Sequence, residues 1–307
     1  MTGFDTSARL EAVADGIHRF DSHYIRPRHT GVYVVVSEGE VAIIDCAVMA
    51  TVAPLLEVLP TLGVAPEQVT AVVVTHAHMD HAGGAGALIE SLPNARLYAH
   101  PSAGKHLVDM SRLEAGVRQV FGDAFFEREY APVKPVPPDR LVTTDDGDTV
   151  PVGARELRAV HTPGHAWHHQ GLWEADTRTF FAGDAFGVGY PGMSAVHGPF
   201  FVPETPPPQF VPDEMHASIE RILGLEPARV APTHYETLTN LAPVAETLHR
   251  LVDNTVARCH RADSVEALAA SLLDAYAEEL ERLGRKDEEA EMRRLYEFDA
   301  GLSAQGL

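Results

Sequence analysis

The sequence predicts a layered α/β fold with a helical tail. Three observations carry that prediction. Short apolar strands alternate with helical segments through the N-terminal third of the 307 residues. Histidines and aspartates cluster directly after several of those strands. After Asp263, apolar residues recur at a helical period.

The elements follow in order. Gly31 to Val36 reads as a strand, Ser37 to Glu40 as a turn, and Val41 to Asp45 as the partner strand. Thr51 to Leu62 has helical spacing and Gly63 ends it. Ala71 to Val74 is a continuous apolar run, as expected of a strand covered on both faces. Gly83 to Leu92 is a small-residue helix, Arg96 to Ala99 a strand and Ser102 to Asp109 a helix. Met110 to Arg140 is less regular, and its four prolines exclude a continuous helix at the end. Strands resume near Thr149–Val152, Leu157–Val160, Gly171–Trp173 and Thr179–Phe181. The Gly- and Pro-rich stretch Gly187 to Pro212 reads as a long loop walling the site, with Phe200, Phe201 and Phe210 lining a pocket or pinning the loop. Asp263 or Ser264 caps a helix that Gly284 stops, and Asp287 to Phe298 forms another.

Composition narrows the function classes. Forty-four acidic residues against 24 basic ones give a formal charge of −20. That balance disfavours nucleic acid, because phosphate binding needs a basic surface. No run reaches the ~18 apolar residues of a membrane span, and the N-terminus lacks the apolar core of a signal peptide. Cys46 and Cys259 are far apart in sequence, so a disulfide framework is not expected and a reducing cytoplasm fits.

His76-Ala77-His78-Met79-Asp80-His81 puts four metal-ligand side chains directly after the Ala71–Thr75 run. A loop leaving a buried strand turns His76 and His78 toward one metal, and Asp80 and His81, at the start of the next helix, toward a second. Imidazole and carboxylate suit zinc; iron and manganese are also compatible. Three more segments put a ligand type after a strand: His161-Thr162-Pro163-Gly164-His165, Gly183-Asp184 and Pro232-Thr233-His234.

In their order, these markers make the chain resemble the metallo-β-lactamase superfamily between about Gly31 and His234. The resemblance implies an αββα sandwich over residues 1–240; the helical spacing beyond it makes residues 241–307 a helical extension, packed on or beside the core or forming a homodimer contact. It implies that His76, His78 and His165 hold one metal and Asp80, His81 and His234 a second, with Asp184 bridging them together with a water or hydroxide. Two zinc ions per chain are expected, and Asp80 and Asp184 carry catalysis as ligands. Pro232-Thr233-His234 departs from the Gly-His usual at the last position. Asp45 matches an aspartate that holds the motif loop rather than binding metal.

Other residues have two readings each. His161 competes with His165, but the family pattern puts the ligand after Pro-Gly. His168 and His169 exceed the ligand count; His169 is assigned to orienting a metal-bound imidazole, since such rings need a partner for the other nitrogen. Tyr190 and Tyr235 either donate a hydrogen bond to a developing oxyanion or simply pack. His197 lies in the long loop, near substrate or in solvent.

The expected activity is hydrolysis of an ester-like bond in a small molecule (a thioester, lactone or phosphotriester) by a metal-bound hydroxide. A glyoxalase II-like thioesterase has the matching ligands, although no equivalent of its basic glutathione contacts is identified. The alternative on the same scaffold is an iron-dependent redox enzyme, such as a sulfur dioxygenase or a diiron protein that reacts with oxygen.

Overall fold

The computed structural model describes residues 6–193, 197–206 and 209–305. The chain forms two compact units, Met1–His161 with His168–Phe181, and Thr162–Trp167 with Ala182–Leu307. The short segment Thr162–Trp167 belongs to the second unit because later residues hold it there. Val211 N–H donates to Gly164 O at 2.8 Å, and Ser218 Oγ donates to Pro163 O at 2.6 Å.

The first unit begins with a hairpin of β1 (Leu10–Ala14) and β2 (Ile17–Asp21) that the sequence reading did not anticipate. The burial along β1 is too weak to mark it as a strand. β2 pairs antiparallel with β3 (Gly31–Ser37), and β3 with β4 (Glu40–Ile44). α1 (Met49–Val58) ends earlier than expected. The chain tightens into a 3-10 turn at Leu59–Leu62, where Pro60 lacks the N–H that would continue the α ladder, and left-handed Gly63 closes it.

β5 (Val69–Val73) runs parallel to β4. After α2 (Met79–Ala82) and α3 (Ala85–Ser91), β6 (Arg96–Ala99) pairs parallel with β5. β5 therefore sits between two strands and buries nearly every residue, which is why its sequence is continuously apolar. α4 (Pro101–Val108) starts on Pro101, with the His100 side chain accepting from Ser102 N–H.

The expected irregular stretch after Met110 instead holds two helices, α5 (Ser111–Phe121) and α6 (Asp123–Glu129). Gly122 separates them, and Arg118 spans the break by bonding Glu114, Asp123 and Glu127. The prolines fall after α6, so they bar a helix only beyond it. β7 (Leu141–Thr143) completes a seven-stranded sheet.

A second sheet follows from β8 (Thr149–Val152), β9 (Arg155–His161), β10 (Gln170–Glu174) and β11 (Thr179–Gly183), paired antiparallel in that order. Tyr33 of the first sheet meets Phe181 of the second edge-on, with ring centroids 5.2 Å apart. The apolar core under α3 includes Val72, Val74, Leu88, Leu97 and Leu107, all without solvent exposure.

The second unit takes up the last residues of β11. It adds α7 (Pro212–Leu223), β12 (Arg229–Pro232), α8 (Leu241–Cys259), α9 (Val265–Arg282) and α10 (Glu289–Gln305). β12 lies beside the end of β11, where Thr233 N–H donates to Gly183 O. Ser264 Oγ caps α9 by accepting from Ala267 N–H, and Gly284 stops it at a φ of 73°. α10 runs past the expected Phe298 to Gln305. Much of the long loop is buried: Phe200 packs with Tyr190, Tyr276 and Tyr296 against α9 and α10. Residues 194–196 and 207–208 of that loop lie outside the described residues. Cys46, which is buried, and Cys259, which is partly buried, form no disulfide. Among the described residues no helix is long and apolar enough to cross a membrane.

Leu88 tests how closely the first core is packed. Leu88→Ala should lower unfolding free energy by about 2–5 kcal/mol in a denaturant titration. A loss well under 1 kcal/mol would show a core able to close around the gap.

Candidate metal centre

In the first unit the donors grow from the ends of β4 and β5. Asp45 leaves β4 with a φ of 57°, a left-handed conformation that aspartate tolerates better than most residues. Its N–H donates to Val73 O on the neighbouring strand at 2.8 Å. Its carboxylate is fully buried and faces the residues after β5. Thr75 N–H donates to Oδ1 at 2.8 Å, Thr75 Oγ1 donates at 3.0 Å, and His81 Nδ1 donates to Oδ2 at 2.8 Å.

These bonds set the histidine tautomers. His81 carries its proton on Nδ1, so its Nε2 presents a lone pair, 3.8 Å from Asp80 Oδ2. The Thr75 hydroxyl spends its hydrogen on Asp45 and accepts from His76 Nδ1–H at 3.0 Å. His76 Nε2 is thereby turned toward His78 Nδ1, 2.8 Å away. The short α2 places Asp80 and His81 in its single turn, and Cys46 N–H donates to His81 O at 2.7 Å. Gly84 lets this turn approach the Asp45 loop: a Cβ there would meet Cys46 O at 2.7 Å.

Further residues surround this group. The rings of His169 and His168 lie 5.0 and 6.3 Å from His76. Gln170, which the sequence reading did not single out, fixes the end of β5. Its N–H donates to Thr75 O, its side-chain amide to Val74 O, and its Oε1 accepts from Thr144. Tyr24 and Tyr130 pack with Met79, their hydroxyls 2.6 Å apart. Burial first, and then the Asp80 charge, holds the Tyr130 hydroxyl well above the usual phenol range. Burial, Tyr130 and then Asp80 do the same for Tyr24. Separated by 106 residues, this pair left no signal in the sequence. His161 is engaged elsewhere, its N–H donating to Asp146 and its ring 4.6 Å from that of His100.

In the second unit, His165 follows Gly164, whose φ is 126° and whose Cβ, if present, would lie 2.4 Å from the Met215 backbone. Only glycine fits between that turn and α7. His165 Nδ1–H donates to Glu204 O at 3.1 Å, which leaves Nε2 facing Asp184 Oδ2 at 3.4 Å. Asp184 follows β11 in a turn closed by Gly187 N–H on its carbonyl. His234 follows β12, with Nε2 3.8 Å from Asp184 Oδ1.

Glu204 joins this group, and sequence reasoning missed it. One donor atom each from His165, Asp184 and Glu204 lies within 4.8 Å of the others, and all three residues are buried. Its surroundings, Pro203 and Thr205, carry no motif. A buried nitrogen lone pair and two carboxylates at this spacing repel one another unless a cation lies among them. The nitrogen and oxygen donor chemistry of both units suits a divalent cation of the zinc type.

The tyrosines named in the sequence sit behind these donors. Tyr190 donates its hydroxyl to Asp299 at 2.6 Å, and its ring lies 6.5 Å from that of His234. Tyr235 is buried among residues of α8 to α10, its N–H donating to Gly189 O. His197 lines a cavity of about 320 Å³ together with Phe200, Thr237, Asn240 and Arg285.

The family model of the metallo-β-lactamase superfamily matches residues 25–234, and the chain belongs to that superfamily. A metallo-β-lactamase fold-containing protein of Sulfurisphaera tokodaii is 24% identical over 225 residues, which cover 71% of this chain and 78% of that one. The hydroxyacylglutathione hydrolase of Aeromonas hydrophila is 28% identical over 61% of this chain and 55% of its own length. That of Gloeobacter violaceus is 30% identical over 51% and 50%. The chain thus spans about half the length of these hydrolases. Among solved structures, a metallo-β-lactamase family protein of Thermus thermophilus superposes with a TM-score of 0.64 at 20% identity, over 89% of this chain and 95% of that one. The fold is the metallo-β-lactamase fold followed by C-terminal helices.

The Asp45 contacts lead to a direct test. Asp45→Asn should weaken metal affinity about 10- to 100-fold in a chelator competition while leaving the circular dichroism spectrum unchanged. Unaltered affinity would show that His76 and His81 hold their orientation without the carboxylate charge.

Proposed function

We propose that this metal-dependent hydrolase cleaves an ester-like bond in a small molecule with two divalent metal ions, zinc foremost. In this reading His76, His78 and His165 hold one ion, Asp80, His81 and His234 the other, and Asp184 is shared. One observation carries it. Within the family-matched segment, each unit supplies imidazole and carboxylate donors at strand ends, all buried except the partly buried His78 and Asp80, and groups behind His76, His81 and His165 set their tautomers.

Bound divalent ions supply Lewis acidity and acidify water until it ionises near neutral pH. The chain's own residues prepare for that. Asp45 and Thr75 keep the protons of His76 and His81 on Nδ1, away from the donor nitrogens. The Glu204 carbonyl does the same for His165. Tyr24 and Tyr130 stay protonated beside Asp80 and so remain hydrogen-bond donors.

The hydroxyacylglutathione hydrolases among the relatives support a thioester; lactones and phosphotriesters fit the same chemistry. A small molecule is the proposed partner, because the net charge of −20 works against a phosphate polymer.

Elemental analysis beside a panel of thioesters, lactones, phosphotriesters and aryl esters tests the proposal. Turnover of one class, abolished by chelation and restored by zinc, is expected. Two iron atoms per chain with an oxygen-dependent visible spectrum would select the redox alternative. Asp184→Ala should drop turnover to background and release at least one metal ion, with the fold intact. Unchanged metal content and turnover in that variant would end its bridging role.

A further inference from the structure

Away from these donors, α7 and α8 carry a second cluster of metal-ligand side chains. His216 and Glu220 stand one turn apart on α7, as do His249 and Asp253 on α8. The contacts cross between the helices. His216 Nε2 lies 3.2 Å from Asp253 Oδ1, and His249 Nε2 lies 2.8 Å from Glu220 Oε1. Each carboxylate therefore serves the histidine of the opposite helix, an exchange that antiparallel packing makes natural. The two imidazoles meet edge to edge, their planes inclined by 23° and their centroids 4.9 Å apart, and their Nδ1 atoms face each other at 2.6 Å.

Counting protons shows what this arrangement asks for. An ionised carboxylate only accepts, so both Nε2 atoms carry hydrogen. Both Nδ1 atoms then point lone pairs into one gap. A contact of 2.6 Å between them requires one shared proton and hence one positive charge. A divalent cation satisfies the same two lone pairs. Metal-bound histidine commonly donates its other ring N–H to a carboxylate, and here both rings already do.

We propose that His216 and His249 form a second, peripheral metal site, taking a zinc-like divalent cation through their Nδ1 atoms in place of the shared proton. Asp253 and Glu220 orient the two rings from behind, and water completes the coordination. The imidazole side chains are about a quarter exposed, 27% and 26%, so the ion enters from solvent. Metal–nitrogen bonds of about 2.0–2.1 Å in tetrahedral geometry separate the nitrogens by about 3.3 Å. The rings need only part by a fraction of an ångström.

Such an ion would clip α7 to α8. Met215, next to His216, presses on Gly164, and Ser218 bonds Pro163. The clip therefore braces the helix that seats the His165 loop, without touching its donors.

The test uses metal-replete protein titrated with zinc chloride by calorimetry, with Tm followed in parallel. Wild type should take up one zinc ion beyond its resident complement, and its Tm should rise. His216→Gln/His249→Gln should lose both responses and keep its basal activity. Glu220→Gln/Asp253→Asn keeps the imidazoles and should bind the extra ion about 10- to 100-fold more weakly. Equal uptake and equal Tm response in wild type and the double-histidine variant would overturn the proposal. Undiminished affinity in the carboxylate variant would overturn it too, and that variant decides the matter should the histidine variant fail to fold.

Discussion

The Asp45 carboxylate is completely withdrawn from solvent and is met by the Thr75 amide, the Thr75 hydroxyl and His81. Those partners come from the end of β5 and from the turn of α2. One charge thus joins two strand ends and a helix, and it does so only because the chain leaves β4 in a left-handed conformation. A buried carboxylate is costly unless its acceptors are filled. The donors that fill them are the residues beside and within the histidine motif, so stability and donor geometry rest on the same bonds. The parallel β4–β5 pairing supplies the register, since Asp45 N–H bonds Val73 O directly.

The second unit reaches the same end with backbone groups. The Glu204 carbonyl sets the His165 tautomer, and α7 fastens the loop through Gly164 and Pro163. Tyr190 links His234 to α10 through Asp299. Here the orienting partners are scattered over the chain, which explains why no motif announces them.

What was legible in the sequence followed from local physics. The apolar run of β5, the clustered ligands after it and the caps of α9 all report on residues within a turn or two of themselves. The family markers reported the fold. Glu204, Gln170 and the Tyr24–Tyr130 pair were not legible, because each acquires its neighbours only through long-range packing. α5 and α6 were obscured because Gly122 and the four prolines after them break the stretch into short, irregular-looking pieces. The Tyr190 hydroxyl illustrates the opposite hazard. Its chemistry suggests an oxyanion donor, while the fold commits it to Asp299.

The C-terminal helices are less an appendage than their position suggests. Tyr276, Leu280, Met292 and Tyr296 supply much of the wall around Tyr190, Phe200 and Tyr235. A chain cut after residue 240 would bare those aromatics to water as one contiguous sticky surface, prone to self-association. Trimming the protein to its family-matched segment would remove the back of that segment's scaffold.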